Sequence, residues 1–406
     1  MSDLAYWIWF SGLRRLRFRT RCALLERYGG ARELWFADRR ELEAIPGLLP
    51  EERRALAERD NAEAEAIIRR CEEEAILILT FQDAAYPERL RNIPDPPYVL
   101  YGKGELPAVD AEPVIAVVGT RRCSAYGEKM AQRIASEIAQ SGGIVATGLA
   151  AGIDSAAAKG ALSAGGCVIG VLGVAINKIY PSSNKELYDR VMRSGALLSE
   201  YPPDAEGSKE WFPQRNRIIA ALSLGVVVPE APVHSGALIT AHRALDYGRD
   251  VFAVPSNADS PKGRGSNQLL REGATLVQCG WDVMEEYAAR YPDKIVPPCE
   301  ETTDAETEPQ ETEAQGRDFF RFREPNRRKP GETEGARQVL ERQLSELTPQ
   351  QLKIVGAMNA PSMHVDDLID LTNLPASTVL SELTILQIKG FVRQEQGKRF
   401  TLNLTK

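Results

Sequence analysis

Histidine is scarce and no two cysteines form a pair with ligand spacing. The 406 residues hold three histidines (His234, His242, His364) and six cysteines (Cys22, Cys71, Cys123, Cys167, Cys279, Cys299), with no C-x-x-C among them. Such scatter offers neither a zinc site nor a disulfide framework, and no metal is expected. Membrane and export signals are wanting too. The apolar run Leu4 to Phe10 is too short to span a bilayer, and its arginines follow it instead of preceding it, so no membrane partner is expected and the protein is read as cytoplasmic. A general excess of positive charge is also missing. With a net charge of −7, any nucleic-acid contact must come from a local patch.

Two phosphate-binding loops are absent as well. A G-x-x-x-x-G-K-[ST] loop occurs nowhere, and no G-x-G-x-x-G is followed by an acid at the end of the next strand. Neither ATP nor NAD is therefore expected, and no other cofactor is indicated.

What is present is organised around Val114 to Gly127, VIAVVGTRRCSAYG. The β-branched run has the composition of a strand buried on both faces, Gly119 allows a sharp turn at its end, and Arg121, Arg122 and Ser124 stand before a helix starting near Tyr126. Free amides, a helix N-terminus and two guanidinium groups predict an anion site for a phosphate-bearing ligand. A tight turn with solvated arginines would read the same way.

Hydrophobic content of 43% and charged content of 26% suit a soluble globular chain long enough for two or three domains. Residues 1–75 read as short helices. Leu42 to Glu52 resembles the hairpin of a helix-hairpin-helix unit, which could hold a DNA phosphate through amides near Gly47 or could simply pack. Residues 76–290 alternate strands and helices, predicting an α/β, Rossmann-like, doubly wound and mostly parallel sheet. Strands are expected at 75–81, 114–118, 144–147, 167–172, 197–201, 225–229, 250–254 and 275–278, with another strand inside 86–104. Helices are expected at 127–140, 153–163, 183–193, 216–221 and 236–247. Residues 291–342 form an acidic linker, with seven acids and no base from Cys299 to Gly316. Residues 343–406 read as three helices and a hairpin, a winged helix whose recognition helix, with one acid and one base, suits protein contact as well as DNA.

The loops at the strands' carboxyl ends (120–127, 148–155, 173–185, 201–217 and 230–240) combine Gly or Pro with hydroxyl, amide or basic groups. They lack the acid, base and nucleophile set of a catalyst, so no enzyme is expected. Lys209, Trp211, Phe212, Arg215 and Arg217 interleave cations with aromatics, which suits a nucleic-acid backbone with bases stacked beside it. A core Trp–Phe pair with solvated charges would give the same spacing.

Together the loops resemble the DNA-processing protein A family (DprA, also called Smf). The resemblance is carried, in order, by YPERLRNIPDPPYVLYGKG, VGTRRCSAYG, GLAAGIDSAAAKGAL, VLGVAINKIYPSSNKEL, SEYPP, FPQRNRIIAALS, SGALITAHRALDYGRDVFAVP and GSNQLLREGA, over about 80–275. It implies a Rossmann-like domain that binds single-stranded DNA without cutting it, protects it, and loads the RecA recombinase onto it in natural transformation, as a homodimer. Carried over by motif, the DNA pocket is Gly119, Thr120 and Arg121, with Lys209, Phe212, Arg215, Asn216 and Arg217. The dimer surface falls at Asn267, Leu270 and Leu276. Ala158, Asn177 and Ser256 stand where the family commonly has His, Asp and Gly, all outside that pocket. The alternative is a nucleotide-cleaving enzyme similar to the cytokinin-activating phosphoribohydrolases, whose loop Glu would correspond to Thr240 here.

Overall fold

Runs of Val, Ile, Leu and Ala from Val114 to Ala253 form strands with nearly every residue buried, because helices cover both faces. The computed structural model describes residues 3–298, Arg14 apart, and, with gaps, residues 348–402. It divides into two units, Met1–Ala305 and Glu306–Lys406.

The first unit begins with six helices: α1 (Asp3–Gly12), α2 (Phe18–Tyr28), α3 (Ala31–Phe36), α4 (Arg39–Glu43), α5 (Pro50–Ala57) and α6 (Ala62–Glu73). The apolar run of α1 buries Trp7, Trp9 and Phe10. Phe10 meets the Tyr98 ring edge-on at 4.9 Å, so these helices share one hydrophobic cluster with the sheet. The 42–52 hairpin joins α4 to α5. Its Gly47 carbonyl accepts from Arg17, and its buried Glu52 accepts from the Arg17 guanidinium, the Thr20 hydroxyl and the Leu49 amide. Those bonds tie the hairpin to α2 and fit the packing reading.

Nine strands follow: β1 (Leu77–Thr80), β2 (Val99–Gly104), β3 (Val114–Val117), β4 (Ile144–Thr147), β5 (Val168–Leu172), β6 (Ala196–Ser199), β7 (Gly225–Val228), β8 (Asp250–Ala253) and β9 (Thr275–Leu276). Their order is β1-β2-β6-β5-β4-β3-β7-β8-β9. From β6 to β9 all neighbours are parallel, while β1 and β2 add an antiparallel edge. Between them run α7 (Glu88–Arg91), α8 (Ala125–Gln140), α9 (Ile153–Ser163), α10 (Lys185–Ser194), α11 (Trp211–Leu222), α12 (Gly236–Asp246) and α13 (Arg264–Arg271), and α14 (Trp281–Ala288) follows β9. Ile115 and Val117 face the layer of α8, α9, α10 and α14, whereas Val114, Ala116 and Val118 face that of α11 and α12. The chain is an α/β, Rossmann-like, mostly parallel fold, and its strand order reverses between β3 and β7.

One element differs from the sequence expectation in a way that matters. Helix α11 starts at Trp211, five residues before the expected Asn216, so Phe212 and Arg215 lie on a helix and not in a loop. Pro213 is tolerated there because in a first turn its missing N–H costs no helical bond. Most other boundaries move by one or two residues.

In the second unit, helices Val365–Thr372 and Ala376–Ile388 accompany a small sheet of Met363–His364, Arg399–Leu402 and Val392–Glu395, the elements of a winged helix. The acidic run from Cys299 to Gly316 lies outside the described residues.

Candidate nucleic-acid interface

In a doubly wound sheet the ligand crevice opens where the strand order reverses, here between the carboxyl ends of β3 and β7. This protein fills it with its own carboxylate. Glu230, just past β7, accepts from the Ser124 amide (2.7 Å) and the Ser124 hydroxyl (2.6 Å), while Ser124 caps α8 by accepting from the Gly127 amide. A Cβ at Gly127 would lie 2.6 Å from Glu230 Oε2, so the approach requires glycine. The anion site expected at the α8 N-terminus is therefore already taken, and a phosphate would have to displace a buried, hydrogen-bonded acid.

The exposed chemistry sits on the other side of the β3 loop. Arg121 is exposed, and its guanidinium carbon lies 5.0 Å from the centroid of the Phe212 ring, near the start of α11. Phe212 in turn lies against Gly173 at the end of β5, where a Cβ would come within 2.7 Å of the ring. Its other neighbour is Tyr180, with centroids 5.2 Å apart and planes inclined at 52°. Lys209 is exposed, two residues before α11 begins. The Asn216 side chain donates to the carbonyl of Gly236. Thr120 is nearly buried, and its amide donates to the carbonyl of Glu230.

Arg215 and Arg217 point the other way. Arg215 is buried and donates to the carbonyls of Gly148 and Val171. Beneath the same loops, Asp154 accepts from the amides of Gly119 (3.2 Å) and Gly148 (3.1 Å). Burial pushes the Asp154 carboxyl up, against the Arg215 guanidinium and these amides, which draw it down. Arg217 Nη2 donates to both carboxylate oxygens of Glu200, at 2.6 and 2.7 Å, and its Nε lies 3.4 Å from Asp95. Burial works to lower the Arg217 pKa, and the two carboxylates outweigh it, so the guanidinium is held charged. These two arginines brace the β4, β5 and β6 ends instead of facing solvent.

A cation on an aromatic ring thus stands at the strand ends, open to water. Residues 77–288 match the family model of DNA recombination-mediator protein A, and residues 337–398 match that of the DprA winged helix domain. The chain belongs to the DprA/Smf family. It is 31% identical to Protein Smf of Synechocystis sp. over 98% of both chains, and 43% identical to the DNA processing protein DprA of Streptococcus pneumoniae over 50% of this chain and 72% of that one. The X-ray structure of the pneumococcal DprA superposes with a TM-score of 0.62 at 33% identity, covering 70% of this chain and 98% of the other.

Within this DprA/Smf chain the remaining expected positions are spread unevenly. Leu276 is 52% exposed on the edge strand β9, and Leu270 is half-buried. The amide of Asn267 is engaged within its own chain, bonding both the amide and the carbonyl of Ser256. Ala158 is fully buried, and Asn177 donates to Glu74 and Asp204. Thr240 is buried in α12, and Glu230, the acid of the same β7 loop, is committed to Ser124. Beyond α11 a cavity of about 930 Å3 opens toward α1 and α2, but its lining includes Glu58, Asp60, Glu63 and Glu210, a poor seat for a phosphodiester. Among the described residues no cluster of potential metal ligands occurs, and no helix is long and apolar enough to cross a membrane. Sequence reasoning did not find Glu230, Gly173 or Tyr180. The clue to Glu230 was an acid directly after an apolar strand at the reversal point. Gly173 and Tyr180 gave no signal of their own.

Proposed function

We propose that this chain is a recombination mediator that holds single-stranded DNA at the carboxyl ends of its parallel strands without cutting it. The observation that carries the reading is the exposed Arg121 lying on the Phe212 ring. The guanidinium offers a phosphate a charge-assisted bond, and the aromatic ring beside it offers a base a stacking partner. Gly119 and Thr120 shape the turn that presents Arg121, and Lys209 adds a second exposed cation. Arg215, Asn216 and Arg217 support α11 and the loop ends beneath that surface. The deep crevice where a nucleotide would be hydrolysed is filled by Glu230, which disfavours the phosphoribohydrolase alternative. The chain works as a cytoplasmic homodimer through the β9 edge, with Leu276 and Leu270, and passes its DNA to the RecA recombinase. The Rossmann-like segment, with the N-terminal helices packed on it, and the winged-helix segment act as separate modules in that task.

An anisotropy titration with a labelled single strand tests this, beside incubation of that oligonucleotide and of nucleoside monophosphates followed by chromatography. Submicromolar binding with every substrate recovered intact is expected. Released free base or shortened strands would establish an enzyme instead.

A further inference from the structure

Among the described residues only three exposed large apolar side chains are aromatic: Phe36, Tyr126 and Tyr180. Phe36 packs on Tyr6, and the Tyr126 hydroxyl donates to the carbonyl of Pro255. Tyr180 is 47% exposed and borders the Arg121–Phe212 pair. It sits in the loop between β5 and α10, whose fixed shape has identifiable causes. The buried Tyr188 hydroxyl bonds both the amide and the carbonyl of Tyr180, and the buried Asn184 ties the same loop to Leu149 of the β4 loop and to Ser155 in the first turn of α9. A ring presented by such a frame loses little freedom when a ligand stacks on it. Lys178 and Lys185 flank it as exposed cations, although Lys178 also donates to the carbonyl of Ala205.

We propose that Tyr180 is a second nucleobase platform, continuing from Arg121 and Phe212 so that the strip takes adjacent nucleotides of one DNA strand. The proposal rests on the single-strand reading above and extends it to a position outside the residues the resemblance supplies. A tilted pair of rings leaves the outer face of Tyr180 open, and every base has a face to lay on it, so the subsite selects single strands over duplex without selecting sequence. The phenol hydroxyl is not needed for this.

The test uses the full chain with single strands carrying 2-aminopurine at successive positions, read by fluorescence and by anisotropy, for wild type and for Tyr180→Ala, Tyr180→Leu and Tyr180→Phe. Circular dichroism checks each fold. One position should be quenched in wild type and in Tyr180→Phe and bright in Tyr180→Ala and Tyr180→Leu. The same two non-aromatic variants should bind about five- to a hundredfold more weakly, with an unchanged dependence on salt. If wild type binds and quenches but Tyr180→Leu does the same with equal affinity, the second platform is refuted and the single-strand reading stands. If wild type binds no single strand, both fall.

Discussion

The guanidinium of Arg121 stands over the ring of Phe212 at 5.0 Å, so the cation and the stacking surface are one unit. Substitutions in contact with each other do not add. Arg121→Ala should weaken single-strand binding about ten- to a hundredfold, through loss of a charge-assisted bond of about 1.5–3 kcal/mol, and should flatten the log–log salt dependence by about 0.7. Phe212→Ala should cost a similar factor with a smaller change in slope. The double variant should lose less than the product of the two factors. Simple multiplication in a double-mutant cycle would mean that the contact does not shape the site.

Gly173 supports the ring from below. A methyl there would overlap Phe212 at 2.7 Å, and the backbone of Phe212 at 3.3 Å limits how far the helix start can yield. Gly173→Ala should therefore weaken single-strand binding about tenfold by turning the ring, although residue 173 offers DNA no charge. Unchanged affinity in a folded Gly173→Ala protein would show that the ring's orientation is immaterial.

Strand β9 ends the sheet with Leu276 half in solvent, an edge that a second copy could cover. Light scattering at micromolar concentration should report a dimer, and Leu270→Glu with Leu276→Glu a folded monomer. A wild-type monomer would contradict the assembly.

Glu52 gives the helical segment a pH dependence of defined sign. Hydrogen bonding from Arg17, against burial and with help from Leu49 and Thr20, holds its carboxyl down at about 2, against 4.5 for the free group. A lowered folded pKa contributes stability above the unfolded value, and that stability is lost as pH falls from 4.5 toward 2. Glu52→Gln should cost about 2–4 kcal/mol at neutral pH and flatten this part of the acid limb in urea unfolding. Parallel wild-type and variant curves between pH 5 and 2 would dissociate Glu52 from it.

Much of this was legible in the sequence because burial on both sides of a parallel sheet forces β-branched runs, as at Val114 and Gly225, and glycines or prolines punctuate them. Strand number and loop positions followed from that. The inward turn of Arg215 and Arg217 did not, since Asp95, Gly148, Val171 and Glu200 are distant in sequence and only the fold brings them together. Glu230 lies 106 residues from the helix start it closes, so composition around Gly119 suggested an open anion site where the fold has a filled one. Tyr180 was hidden for another reason: spacing does not say whether a loop aromatic is buried.

The strip formed by Arg121, Phe212 and Tyr180 needs bases that are free to stack, and its few cations cannot follow a duplex across many phosphates on a chain of net charge −7. The most direct measurement is therefore a competition at one salt concentration, displacing a labelled single strand with unlabelled single-stranded or duplex DNA of equal length. The account predicts displacement by the single strand at least tenfold more effective than by the duplex. Equal displacement by the two would contradict it.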